Sequence, residues 1–237
     1  MPATIYERIR RNLPALSVGM ISADLMRLSQ QTAALEENGC QFAHFDVMDG
    51  QFAPLLTAGP FFVKGLRTAM LKDVHLMVEC PVEAINAYAA AGADMITVHV
   101  ESRGHIHRAL QMIAECKNAN DPSRGIAAGI ALNPGTPVES LLPFLDMVDL
   151  IFLLAVNPGY AGQKFAPSTA GRFAMLKKMA ADRGRPLLLG IDGGVTRDNI
   201  HKVAALKPDF VVAGSAVFDK SAVAENLRFM QDALAGR

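Results

Sequence analysis

Three short stretches of this sequence carry histidine and aspartate at spacings that suit a metal ion. Residues 43–50 read Ala43-His44-Phe45-Asp46-Val47-Met48-Asp49-Gly50, residues 73–77 read Asp73-Val74-His75-Leu76-Met77, and residues 190–194 read Gly190-Ile191-Asp192-Gly193-Gly194. Side chains two apart on a strand point the same way, so His44 and Asp46 share one face while Phe45 and Val47 take the other. The same alternation turns His75 inward, and Asp192 stands at the tip of its run. Two imidazoles and two carboxylates make a ligand set for one divalent ion, and these donors suit Zn, Fe, Mn or Co better than a thiolate-bound ion. A single strand-end His or Asp more often braces a loop. The four together carry the metal reading only if one fold brings them to one mouth.

A second set is rich in glycine. Asn157-Pro158-Gly159-Tyr160-Ala161-Gly162-Gln163, Gly193-Gly194 and Gly214-Ser215 each follow an apolar run. Glycine lets backbone N–H groups approach an anion closely, and three such loops at one end of a fold predict a phosphate site. Any one of them alone would simply close a turn.

The elements that must position these residues alternate along the chain. Strands are predicted at Leu16–Met20, Phe42–Val47, Val74–Val78, Met95–Val98, Ala127–Leu132, Leu150–Ala155, Leu187–Ile191 and Phe210–Ala213. Helical patterns fall between them at Asp24–Asn38, Phe61–Ala69, Val82–Ala91, Ile106–Asn118, Val138–Leu145, Thr169–Arg183, Arg197–Leu206 and Ala222–Ala235. Eight β–α units predict an α/β fold, a single (β/α)8 (TIM) barrel, with residues 1–12 as a short extra helix outside it. No Gly-x-Gly-x-x-Gly follows the first strand, which argues against a doubly wound sheet. With no linker or low-complexity tract, the whole of residues 1–237 reads as one domain.

Composition narrows the function. The 237 residues hold 23 Lys and Arg against 23 Asp and Glu, with no Trp and three Tyr, so nucleic acid is not an expected partner. The longest useful apolar run, Leu150 to Val156, falls far short of the ~18–20 residues a membrane helix needs, so no membrane partner is expected either. Cys40, Cys80 and Cys116 lie far apart without a CxxC pair, and the N-terminus lacks the apolar core of a signal peptide. Both features predict a cytoplasmic protein with reduced thiols.

Several strings together resemble the ribulose-phosphate 3-epimerase family. They are Ile-Ser-Ala-Asp-Leu at 21–25, His-Phe-Asp-Val-Met-Asp-Gly at 44–50, His-Leu-Met at 75–77, Val-Asn-Pro-Gly-Tyr-Ala-Gly-Gln at 156–163, Asp-Gly-Gly-Val at 192–195 and Val-Ala-Gly-Ser-Ala-Val-Phe at 212–218. The likeness is collinear over roughly residues 15–230. It implies a barrel isomerase that inverts C3 of a ketose phosphate, interconverting D-ribulose 5-phosphate and D-xylulose 5-phosphate through a metal-stabilised enediolate. It puts His44, Asp46, His75 and Asp192 on one divalent ion per chain, and Asp46 and Asp192 on the two-base proton transfer. Gly162, Gly194, Gly214 and Ser215 fall on the phosphate cradle, with His75, Gly159, Tyr160, Ala161 and Gly193 completing the substrate-binding set. Met48, Met77 and Leu154 are expected as an apolar cap. The family often assembles as dimers or larger rings, so a homo-oligomer is expected. Two carboxyl groups, one ionised and one protonated, can take a proton from one face of C3 and return one to the other.

Three departures bear on the substrate. Gly19 stands where the family carries a serine, a hydroxyl expected at the C1 end of the sugar, and Ser17 shares its face one layer deeper. Leu154 stands for a methionine, and Ala161 for a glycine. Ala-Gly-Gln at 161–163 and Pro-Phe-Phe-Val at 60–63 are similar to allulose-6-phosphate 3-epimerases, which makes that sugar or another ketose phosphate the alternative substrate. A Schiff-base aldolase would need a strand-end Lys that no predicted strand offers. A silent phosphosugar-binding protein would not need Asp46 and Asp192. His99 is expected to brace the site, Asp49 to organise a turn, and His105, His107 and His201 to lie in solvent.

Overall fold

The computed structural model describes residues 4–160, 162–183 and 186–237. Eight parallel strands close into a barrel in sequence order, with β8 pairing back onto β1. They are β1 (Ala15–Gly19), β2 (Phe42–Met48), β3 (Leu71–Met77), β4 (Met95–His99), β5 (Ala127–Leu132), β6 (Leu150–Leu154), β7 (Leu188–Asp192) and β8 (Phe210–Ala213). The helices are α1 (Ile5–Arg10), α2 (Leu28–Glu37), α3 (Pro60–Gly65), α4 (Pro81–Ala90), α5 (Ile106–Glu115), α6 (Thr169–Ala181), α7 (Ile200–Ala204), α8 (Ser215–Phe218) and α9 (Val223–Leu234).

Strand alternation divides the core in two. Outward-facing Val18, Phe45, Val74, Ile96, Ile130, Ile151, Ile191 and Val211 pack under the helices. Inward-facing Phe42, Leu71, Met95, Leu150, Phe152, Leu188 and Phe210 fill the barrel together with Ile5 and Ile9 of α1. The extra helix therefore closes the N-terminal mouth. Thr4 and Glu7 cap it reciprocally: the Thr4 hydroxyl accepts the Glu7 amide at 3.3 Å and the Glu7 carboxylate accepts the Thr4 amide at 2.8 Å.

Among the departures from the pattern-based expectation, which include shorter helices α3 and α7 and the additional α8, three have clear local causes. Residues 138–144 form a 3₁₀ helix containing Pro143, whose missing N–H and ring disfavour α-helical bonding. The helix expected from Asp24 starts at Leu28, because the Asp24 side chain accepts the Met26 amide at 3.0 Å and caps a separate 3₁₀ turn over Leu25–Arg27. β3 starts at Leu71, three residues early, where the Leu71 amide donates to the Gln41 carbonyl at 2.8 Å. That early start brings Asp73 inside the barrel.

Candidate metal centre at the barrel mouth

Parallel register sets the depth of each polar side chain. Asp46 pairs with His75, His75 with Thr97, and Leu154 with Asp192. His44, His75 and His99 are fully buried, whereas the Asp46 and Asp192 side chains keep 18% and 12% of their surface, enough for a ligand to reach them. His44 Nε2 lies 3.2 Å from Asp46 Oδ1 and 3.9 Å from Asp192 Oδ2. His75 Nδ1 lies 3.6 Å and 3.1 Å from the same two oxygens. One atom from each residue thus belongs to a group whose members all lie within 4.8 Å of one another.

The donor atoms fit a metal ion better than they fit one another. A tetrahedron with metal–ligand distances of about 2.0–2.2 Å has edges of about 3.3–3.6 Å, which the four separations straddle. His75 Nδ1 is buried without a hydrogen-bond partner among the described residues, despite two carboxylates beside it. The far nitrogens are already committed. His44 Nδ1 stands 2.7 Å from Asp73 Oδ2, which also accepts the Ser17 hydroxyl at 2.8 Å. His75 Nε2 stands 2.9 Å from His99 Nε2, and His99 Nδ1 stands 2.9 Å from Glu101 Oε2. Such bonds fix ring orientation and leave His44 Nε2 and His75 Nδ1 as the free lone pairs.

The electrostatics agree. Burial disfavours the His44 imidazolium, but the Asp73 and Asp46 carboxylates override it and hold its pKa well above the usual value. Burial likewise opposes the Asp46 carboxylate, yet His44 and His75 hold its pKa well below the ordinary range. For His75 the hydrogen-bonding reach of Asp192 and Asp46 outweighs burial and raises the pKa. For His99 burial wins over Glu101, and the value falls to about 4, so the ring is neutral and can accept the His75 proton. The carboxylates around His44 and His75 thus favour positive charge at this point, which protonated imidazoles or a dication with neutral imidazoles can provide.

Residues 15–218 match the model of the Ribulose-phosphate 3 epimerase family. The chain belongs to that family. It is 39% identical over 226 residues to the chloroplastic Ribulose-5-phosphate-3-epimerase of Arabidopsis thaliana, covering 94% of this chain and 78% of that protein. It is 40% identical over 205 residues to the Ribulose-phosphate 3-epimerase of Bacillus subtilis, covering 85% of this chain and 91% of that protein. Among solved structures, 3-hexulose-6-phosphate synthase from Salmonella typhimurium shares the fold, with a TM-score of 0.68 at 15% identity over 94% of this chain and 99% of that one.

The family's glycine-rich strings lie around the same mouth. A Cβ on Gly193 would stand 2.4 Å from Val156 Cγ2, and one on Gly194 2.9 Å from Val156 Cγ1, so the loops after β6 and β7 are in backbone-close contact. A Cβ on Gly159 would stand 2.6 Å from Pro54 Cδ, so the loop after β6 meets the loop after β2 from the opposite side of the barrel. Gln163 pins the former by donating to the Asn157 and Tyr160 carbonyls at 2.6 and 2.8 Å. Tyr160 is exposed, and Ala161 lies outside the described residues. Gly214 precedes α8, which begins at Ser215. Met48 and Met77 are register partners two residues beyond Asp46 and His75, and Leu154 is buried beside Asp192.

Other residues stand apart from the cluster. Asp49 accepts the Gln51 and Phe52 amides at 2.9 Å and the Glu79 amide at 2.7 Å, and serves as a loop anchor. His105, His107 and His201 are exposed. At Gly19 a Cβ would stand 3.3 Å from Gly214 Cα, so this position packs against the start of the loop after β8. The β1–β8 pairing expected of a closed barrel sets this approach, with Val18 opposite Ala213. Ser17 cannot replace the missing hydroxyl, since it is bound to Asp73. Sequence reasoning also passed over Asp73 and Glu101. Each sits two residues from a histidine it had singled out, and the alternation that turned His75 inward turns Asp73 inward too.

Proposed function

We propose that this chain is a metal-dependent 3-epimerase interconverting D-ribulose 5-phosphate and D-xylulose 5-phosphate. The observation that carries this reading is the pair of carboxylates, Asp46 from β2 and Asp192 from β7, converging with two histidines on one point of the mouth. Asp46, held ionised by His44 and His75, takes the proton from C3 on one face. Asp192, protonated at the start of that half-reaction, returns a proton to the other face, and the roles exchange in the reverse direction. His44, Asp46, His75 and Asp192 hold one divalent ion per chain, Zn, Fe, Mn or Co, which when bound supplies positive charge where the sugar oxygens become negative. His75 also borders the sugar.

Gly162, Gly193, Gly194, Gly214 and Ser215 cradle the phosphate, with Gly159, Tyr160 and Ala161 in the covering loop. Met48, Met77 and Leu154 line the sugar with apolar surface that excludes water. The likeness to ribulose-phosphate 3-epimerases at 39–40% identity supports the five-carbon sugar over allulose 6-phosphate. Three free cysteines support a cytoplasmic setting. Met26, Leu56 and Phe61, each at least 82% exposed, support a homo-oligomer.

Incubation with ribulose 5-phosphate in deuterated water, followed by proton NMR, tests the reaction. Deuterium should enter at C3 as xylulose 5-phosphate forms, and kcat/KM should be higher for five-carbon than for four- or six-carbon ketose phosphates. Absence of exchange at C3 would reject the epimerase reading.

A further inference from the structure

A second concave site lies away from the mouth, at the N-terminal end of β3 and β4. It is a cavity of about 660 Å³ bordered by Arg8, Lys64, Arg67, Lys72 and Arg124. Only two carboxylates, Asp94 and Asp121, share that lining, so five cations against two acids leave a net charge of +3 in a chain whose net charge is zero. Among the described residues, Lys72 and Arg124 are also the only buried lysine and arginine, at 7% and 8% exposure, and both border this one cavity.

Their charges are incompletely compensated. Asp94 is heavily used: it receives the Arg124 guanidinium, the Asn118 amide at 2.9 Å and the Lys72 backbone N–H at 2.9 Å. The Lys72 ammonium donates to the Val63 carbonyl, a neutral partner, and makes no ion pair among the described residues. Burial pushes its pKa below the usual lysine value, although Asp94 opposes this. Arg124 Nε is buried with no hydrogen-bond partner among the described residues. Buried charges are normally paired, so a buried ammonium without a carboxylate is a cost that an incoming anion would remove. At the rim, Arg8, Lys64 and Arg67 are exposed and make no ion pair among the described residues. The volume is that of a site for a metabolite-sized ligand.

We propose that this cavity binds a small polyanion, a molecule carrying two or more phosphate or carboxylate groups, independently of the substrate site. The rim cations Lys64 and Arg67 hold the outer anionic group, and Lys72 attracts the inner one.

Calorimetric titration with inorganic pyrophosphate at fixed ionic strength, with a parallel titration with citrate, tests the site and separates phosphate from carboxylate preference. In the presence of saturating ketose phosphate, at least one of the two probes should still bind, with one site per chain. The double variant Lys64→Ala, Arg67→Ala should weaken that binding at least 10-fold and leave kcat/KM within twofold. Lys72→Met should also weaken it, and should not lower the melting temperature of the ligand-free protein, since it removes an unpaired buried charge. The proposal is overturned if neither probe binds once the substrate site is filled, or if the double variant binds as wild type. This readout does not depend on the chemistry at the mouth.

Discussion

On β2, Phe42 and His44 are two residues apart on one face, yet they meet opposite surroundings. The Phe42 ring packs edge-on to Phe210 at 5.0 Å, over Ile5 and Ile9 of the closing helix. His44, one layer higher, touches Asp73 and Asp46. The same contrast repeats on β3, between Leu71 and His75, and on β7, between Leu188 and Asp192. The lower interior is a dry plug that stabilises the barrel, whereas the upper interior concentrates groups that cost stability unless they are paired or hold a metal. Height within the barrel, more than the face of the strand, separates packing from chemistry.

The largest expected effects break the upper layer. Asp46→Asn and Asp192→Asn should each lower kcat by at least ~10²-fold, the scale of a lost general acid or base. For Asp46→Asn the melting temperature should also fall, because the carboxylate that His44 and His75 hold ionised is lost and leaves those buried rings less well paired; circular dichroism melts alongside steady-state kinetics check this. The lower layer should respond the other way. Phe42→Ala should cost about 3–5 kcal/mol in denaturant unfolding, while kcat/KM of the folded fraction stays within a few-fold of wild type. If Phe42→Ala abolished activity in folded protein, the division into two layers would fail.

Asp73 lies between the layers and sharpens the comparison. Asp73→Asn should weaken divalent metal affinity by roughly 10–100-fold, as expected for the partner that orients a ligating imidazole. Competition against a chromogenic chelator measures this, and an unchanged affinity would make Asp73 a packing residue only. The smallest effect is expected at Gly19. The Gly19→Ser side chain meets the Gly214 backbone, so stability should fall by about 1 kcal/mol, with KM rising and kcat little changed. A gain in kcat/KM would mean that Gly214 yields easily and that the hydroxyl finds the sugar.

Much of this arrangement was legible in the sequence because strand alternation is strict. His44, Asp46 and His75 could be placed inward from period two alone, and the eight β–α units implied the closure that gathers them. Asp73 was equally legible but stood at the start of an apolar run rather than at its tip, where catalytic groups are sought. Glu101 was less so, since it lies in the loop two residues past His99, and its contacts at Asn133 and Thr136 come from the next β–α unit. Gly19 shows the limit most clearly: a closed barrel implies its approach to Gly214, 195 positions away, but not that a Cβ there would stand 3.3 Å from the Gly214 backbone. The 3₁₀ helix at 138–144 departs from the apolar pattern for a local reason, because Pro143 can sit in that pattern without supporting an α-helix.

The measurement closest to the central claim is metal content read beside C3 proton exchange. Protein stripped by a chelator should lose exchange of ribulose 5-phosphate C3 with solvent, and one equivalent of a divalent ion per chain should restore it. His75→Ala should retain the ion poorly under the same dialysis and exchange correspondingly slowly. Full exchange by thoroughly stripped protein would contradict the account, because the four groups at the mouth would then be performing their chemistry without the ion their geometry fits.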